Sequence, residues 1–192
     1  MRLFIAINLP DETRQALSEA VAPLRAEGFP LRWVDPANYH LTLKFLGAVR
    51  DEQVPTVEEV TERVASQTPE FSLDIQGLGA FPTLRRPRVL WVGVVPTPAL
   101  RCFKQDLEWA LAEHGFERET RAFHPHITLG RAKDKEGAGA FRGLDESAGR
   151  IDVGHSVPVE TVDVMRSRRA QDGSLYSVVR RSGLQVEAPR AS

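Results

Sequence analysis

One four-residue phrase occurs twice. "HLTL", residues 40–43, returns as "HITL", residues 126–129, so 86 residues separate His40 from His126. Sliding the chain on itself by that distance lays Arg2-Leu3-Phe4-Ile5-Ala6 over Arg88-Val89-Leu90-Trp91-Val92 and Pro10 over Pro96. An apolar strand is repeated, and so is the proline after it. Each proline is followed by an apolar periodicity of about 3.6 residues: Leu17, Ala20, Val21 and Leu24 in the first copy, and Leu100, Phe103, Leu107, Ala110, Leu111 and His114 in the second. Each helical run stops at a Gly-Phe pair, Gly28-Phe29 and Gly115-Phe116, one residue out of phase. A chain of 192 residues ordered this way reads as two βα-type halves, each carrying one His-x-Thr.

The second unit of each copy is fainter. "DEQVPTVEEVTERVA" places Val54, Val57, Val60 and Val64 on one helical face, and "FSLDIQGL" reads as a strand after it. In the other half, "DKEGAGAFRGLDESAG" is glycine-rich and reads as a short helix or a loop. "PVETVDVMRSRR" and "SLYSVVRR" read as a closing hairpin around Gln171-Asp172-Gly173, and the tail after Val186 is expected to fray.

Successive side chains of a strand point to opposite faces. Leu41, Leu43 and Phe45 then share a core face, and His40, Thr42 and Lys44 share the other. In the second copy Ile127 and Leu129 face the core while His124, His126 and Thr128 face away from it. If a pseudo-twofold relates the halves, the polar faces meet across a groove. Two imidazoles and two hydroxyls then converge. Imidazole titrates near neutrality, so one histidine can serve as general base and the other as general acid. The hydroxyls can donate to anionic oxygens. A phosphodiester fits this set, because its attacking and leaving oxygens lie on opposite sides of phosphorus. Symmetry alone leaves open which histidine is acid and which is base.

Other chemistries find less in the sequence. His124 and His126 sit close enough to share a metal, but no third and fourth ligand stands near them, so no metal site is expected. Cys102, the only cysteine, excludes an internal disulfide, and its place in a helical register predicts a packed core thiol. The net charge of −1 does not suit a nonspecific nucleic-acid coat. The apolar start is too short for a signal peptide and no stretch is long enough to span a membrane, so a cytoplasmic protein is expected.

The blocks "RLFIAINLP", "RWVDPANYHLTLKFLG", "GLGAFPTLRRPRVLWVGV", "RAFHPHITLGR" and "VMRSRRAQDGSLYSVV" together resemble the two-histidine phosphoesterases, and within them the bacterial and archaeal LigT-like RNA 2′,3′-cyclic phosphodiesterases. The resemblance covers nearly the whole chain. It implies an α+β, bilobal, pseudo-twofold fold, each lobe an antiparallel sheet flanked by helices, with the active-site groove between lobes. One domain then spans residues 1–192, built from two intertwined lobes whose copies begin near 1 and near 87. The resemblance also implies hydrolysis of RNA 2′,3′-cyclic phosphate ends to 2′-phosphomonoesters without metal or cofactor, with possible reverse 2′-5′ ligation. It makes His40 the proton donor and His126 the proton acceptor, and it maps Thr42 and Thr128 onto phosphate-binding threonines. Arg131 falls at a recurrent arginine position, although strict alternation puts it on the Ile127 face. Many relatives carry arginine two residues before the second histidine; here that position is His124, and Arg121 is a candidate substitute. The expected partners are RNA or oligonucleotide ends bearing a cyclic phosphate, met by a monomer with no membrane attachment.

Several further residues have two readings. Lys44 can touch phosphate or be a solvated strand-end lysine. Tyr39 and Phe123 can stack a nucleobase or pack in the core or rim. Trp33, Trp91 and Trp109 read as core or rim. The runs Arg85, Arg86, Arg88 and Arg166, Arg168, Arg169 can contact an RNA backbone or be plain surface. The rival to an enzyme is a nucleotide-binding or regulatory module that keeps the groove without turnover. A third reading keeps the chemistry on another cyclic phosphate or a 2′-5′ linkage.

Overall fold

The computed structural model of the chain describes residues 1–133, 139–170 and 173–186. Its elements run β1 (Arg2–Asn8), α1 (Asp11–Ala20), α2 (Ala22–Ala26), β2 (Leu31–Trp33), β3 (His40–Ala48), α3 (Val54–Gln67), β4 (Phe71–Thr83), β5 (Arg86–Val94), α4 (Pro98–Ala112), β6 (His126–Ala132), α5 (Leu144–Gly149), β7 (Gly154–Val159), β8 (Thr161–Ala170) and β9 (Gly173–Gly183). The expected turn at 171–172, residues 134–138 of the glycine-rich stretch and the tail from 187 lie outside the described residues. The rest of that stretch forms α5.

The helices form where the periodicity puts them. Val54, Val57, Val60 and Val64 of α3 are buried, as are Leu100, Phe103, Leu107 and Leu111 of α4. Thr97 caps α4, its side chain accepting from the Leu100 amide at 3.3 Å. Gly28 and Gly115 follow the helical runs with φ of 76° and 85°, a left-handed geometry that stops a helix and that glycine adopts freely. His114 lies beyond the end of α4 and is exposed. Cys102 is exposed as well. It is not the packed core thiol expected, because it lies on the side of α4 away from the buried Leu100, Phe103, Leu107 and Leu111.

Among the described residues the nine strands join in one antiparallel network, ordered β7-β4-β5-β6-β3-β1-β8-β9 with β2 also on β6. The order reads the same from both ends: β6 answers β3, β5 answers β1, β4 answers β8 and β7 answers β9. Strands β3 and β6 pair at Leu41 opposite Ile127 alone, and β2, also from the first half of the chain, adds three pairs at the far end of β6. The expected α+β fold with antiparallel strands in each lobe is present, and the Leu41–Ile127 pair makes the strands of the two lobes continuous. Helix α3 packs on β8 and β9, α4 packs on β3 and β4, and the two helices pack together, all behind the sheet.

Two β-bulges alter the expected alternation. Ile5 stands opposite Lys44 and Ala6 opposite Thr42, which leaves Leu43 unpaired. Leu90 stands opposite Gly130 and Trp91 opposite Thr128, which leaves Leu129 unpaired. An extra residue turns everything after it to the other face. Three expectations change as a result. Lys44 turns into the interior, 5% exposed, and donates to Glu108 and to the Glu117 carbonyl. Phe45, expected in the core, is 75% exposed on the groove side. Arg131 leaves the Ile127 face and joins the face of His126 and Thr128.

Candidate active site

His40 and Thr42 stand half-buried on one face of β3, with Leu41 and Leu43 buried behind them. His126 and Thr128 stand half-buried on β6, with Ile127 and Leu129 behind. The Leu41–Ile127 contact sets an antiparallel register in which each histidine faces the other strand's threonine. Diagonal neighbours in such a register have backbones about 7–8 Å apart, a gap suited to a tetrahedral anion with an atom on either side.

The histidines are held alike. His40 Nδ1 lies 2.7 Å from the Asn38 carbonyl, and His126 Nδ1 lies 2.7 Å from the His124 carbonyl. A carbonyl can only accept, so each Nδ1 carries a proton and each Nε2 is the titrating atom. Burial holds both imidazoles below the ordinary histidine pKa. The Nδ1 bonds pull upward, while the charges of Arg14, His126 and Arg131, in that order, push His40 down and those of Arg131 and His124 push His126 down. Arg131 thus acts electrostatically on both histidines.

The surroundings of the two rings differ. His40 belongs to a ring cluster with Phe4 at 5.1 Å and Tyr176 at 5.2 Å. The cleft beside it is lined by Asn8, Arg14 and Arg181 among others. Asn8, directly opposite His40 on β1, donates to Asp163 Oδ2 at 2.6 Å, and Arg181 holds the same carboxylate at 2.8 and 3.0 Å. His126 instead meets Phe81 at 4.9 Å and Trp91 at 6.2 Å. The Trp91 indole lies over Gly79, where an added Cβ would come within 2.2 Å of the ring.

None of Asn8, Arg14, Phe81, Trp91, Tyr176 or Arg181 stood out as a site residue in the sequence. A signal was present for the strands beside the histidines. Ala6 and Trp91, which face Thr42 and Thr128, are 85 residues apart, not 86, so the slide that aligns the histidines puts Trp91 one place out of register.

The other candidates divide. Tyr39 is fully buried in the core. Phe123 lines the cleft beside His126, with Lys104 Nζ 5.2 Å above its ring. His124 is exposed and serves through its carbonyl. Arg121 pairs with Glu119 and Arg85 with Asp145. Trp109 is a rim residue, 53% exposed beneath Arg118, and Trp33 packs partly buried against the core. Among the described residues no group of three or more His, Cys, Asp or Glu is placed to hold a metal ion, and no helix is long and apolar enough to cross a membrane.

Known proteins share this fold. The profile of the family described as "LigT like Phosphoesterase" matches twice, at residues 7–91 and 92–176. An RNA 2′,3′-cyclic phosphodiesterase of Aeropyrum pernix is 37% identical over 154 residues, covering 79% of this chain and 85% of that protein. A crystal structure of a Thermus thermophilus protein superposes with a TM-score of 0.79 at 29% identity, covering 98% of this chain and 100% of the other. E. coli LigT complexed with 3′-AMP superposes with a TM-score of 0.71 at 29% identity, covering 95% and 97%. With both halves matched in order, each around one His-x-Thr, the chain belongs to the LigT-like phosphoesterase family.

Proposed function

We propose that this protein is an RNA 2′,3′-cyclic phosphodiesterase that opens cyclic phosphate ends to 2′-phosphomonoesters without a metal. It acts as a cytoplasmic monomer and also catalyses the reverse, 2′-5′ joining. Its working unit is the whole chain, one domain of two interleaved copies beginning near 1 and near 87. The observation that carries the reading is the matched pair of Nδ1–carbonyl bonds, which leaves the Nε2 atom of each histidine to exchange protons.

His126 Nε2 takes a proton from water as its oxygen attacks phosphorus. The bond from phosphorus to O3′ breaks, and His40, entering as imidazolium, protonates O3′ through Nε2. The cycle leaves His126 charged and His40 neutral, and exchange with solvent resets both. Thr42 and Thr128 take the non-bridging oxygens, and Arg131 binds the substrate further along the groove. Each acid or base is worth about 10²–10⁴ in rate. E. coli LigT, complexed with 3′-AMP, supports a nucleotide phosphate as the ligand of this groove.

Incubation with 2′,3′-cyclic AMP in EDTA tests the proposal. The expected product is 2′-AMP, with turnover abolished in His40→Ala and in His126→Ala. Binding without turnover would make the protein a nucleotide-binding module. Predominant 3′-AMP would overturn the assignment of His40 as acid in the family's binding pose and leave the two-histidine mechanism intact.

A further inference from the structure

Arg32 of β2 stands directly opposite Arg131 of β6. Both are exposed, and Lys133, also exposed, follows at the end of β6. Like charges directly opposite in a sheet repel. A nearby carboxylate is the usual relief, and the chain has 26 acidic residues to set against 25 basic ones. Elsewhere the arginines find them: Arg85 pairs with Asp145, Arg121 with Glu119, Arg180 with Glu62 and Arg181 with Asp163. Among the described residues neither Arg32 nor Arg131 has such a partner.

The pair also lies on the functional side. Leu31 and Ile127 are buried behind, and the Leu129 bulge turns Arg131 to the face of His126 and Thr128. From Thr128 to Arg131 is two pleat positions once the bulge is discounted, about 7 Å along the strand. Arg32 stands beside it on the edge of β6 that also meets β3, opposite β5. The cations therefore continue the groove away from the four His and Thr side chains.

We infer that Arg32 and Arg131 form a second anion subsite, which takes the phosphodiester preceding the cyclic phosphate in an RNA chain. This rests on the cyclic phosphodiesterase reading above. Two guanidinium forks can share the non-bridging oxygens of one phosphate, and an anion between them turns the repulsion into attraction. The substrate class is then an oligonucleotide end, and a nucleoside cyclic phosphate is a truncated substrate that leaves the subsite empty.

The test compares three substrates: 2′,3′-cyclic AMP, the dinucleotide ApA ending in a 2′,3′-cyclic phosphate, and that dinucleotide with an uncharged methylphosphonate linkage. Wild-type kcat/KM should favour the charged dinucleotide about tenfold or more, the scale of one charge-assisted contact. The methylphosphonate should fall to the mononucleotide level. In Arg32→Gln the ratio of charged dinucleotide to mononucleotide should drop toward 1, and Arg32→Lys should recover part of it. An undiminished ratio in Arg32→Gln, or no wild-type preference for the charged linkage, overturns the inference. A parallel measurement needs no turnover. Wild type should bind a labelled oligoribonucleotide ending in a 3′-phosphate with a log–log salt slope steeper than that of Arg32→Gln by about 0.7, one phosphate's share. If wild type hydrolyses nothing, the parent reading fails, and equal salt slopes or unequal ones still decide the subsite. Arg32→Gln should melt no lower than wild type, since it removes a repulsion.

Discussion

Phe45 and Arg131 occupy the same position on two related strands, each the second residue past a bulged leucine, and one is a phenyl ring where the other is a guanidinium. Phe45 rests 6.0 Å from Phe4, which in turn meets the His40 ring. The pseudo-twofold that brings the histidines together is broken there. One end of the groove is apolar and the other cationic, so a nucleotide turned end for end meets different surroundings. That difference can fix which histidine meets the leaving oxygen, a choice the two matched motifs leave open.

The pH dependence has a definite sign. The free enzyme's imidazoles sit below the ordinary value of 6.5, with burial the largest cause for both. The folded protein therefore binds fewer protons than the unfolded chain as pH falls from 6.5. These two groups contribute stability that is fully present above 6.5 and is lost as pH drops through their folded values. Denaturant midpoints measured between about pH 5 and 8 should fall on the acid side, less steeply in His40→Asn. A bound phosphate anion favours imidazolium, so the kcat profile should peak at higher pH than the kcat/KM profile. Coincident profiles would remove the anion from between the rings.

Thr42 and Thr128 should matter for turnover and little for folding. Each is half-buried on the groove face, while Leu41 behind them is 0% exposed. Alanine at either threonine should lose about 1–3 kcal/mol of transition-state binding in kcat/KM. Leu41→Ala should instead cost about 2–5 kcal/mol of stability. Calorimetry beside kinetics separates the two.

Gly79 and Trp91 should behave as one unit. A Cβ at Gly79 would meet three atoms of the indole between 2.2 and 2.6 Å. Gly79→Ala should destabilise by about 1–3 kcal/mol as overpacking. It should also lower kcat, because the displaced indole neighbours His126. Trp91→Leu on that background should restore the lost stability, and a double-mutant cycle measures the coupling.

The buried Lys44–Glu108 pair ties the first histidine strand to α4 and to the 117–119 segment, whose Glu119 amide donates to Glu108 at 3.2 Å. Burial raises the Glu108 pKa, but bonds from Lys104 and Lys44 outweigh it and the net shift is downward. Glu108→Leu alone should cost about 3–5 kcal/mol, because it strands a buried ammonium. Adding Lys44→Met should return much of that loss. Chemical denaturation of the single and double variants provides the comparison.

The sequence made the helices legible because a 3.6-residue stripe needs no knowledge of partners. The faces of His40, Thr42, His126 and Thr128 were equally legible, since alternation holds up to each bulge. Lys44, Phe45 and Arg131 were misplaced for one reason. A bulge is a property of the pairing, and nothing in "LTLKF" or "ITLGR" marks the residue that will be left out. Strands β2 and β7 were missed because three and six residues carry too little pattern. Asn8 and Tyr176 stayed hidden because they reach His40 across strands distant in sequence.

The symmetric strand order also bears on synthesis from the ribosome. Strands β4, β5 and β6 pair in succession as they emerge, and only β7 is still to be added. The strand carrying Phe4 gains its inner neighbour within the first 48 residues, but its outer neighbour, β8, begins at residue 161. Through most of translation that strand presents an open edge with Phe4 and Ile5 on it, an invitation to mispairing. The lobe made first is therefore completed last. A nascent chain arrested before residue 161 should be the form most in need of a chaperone.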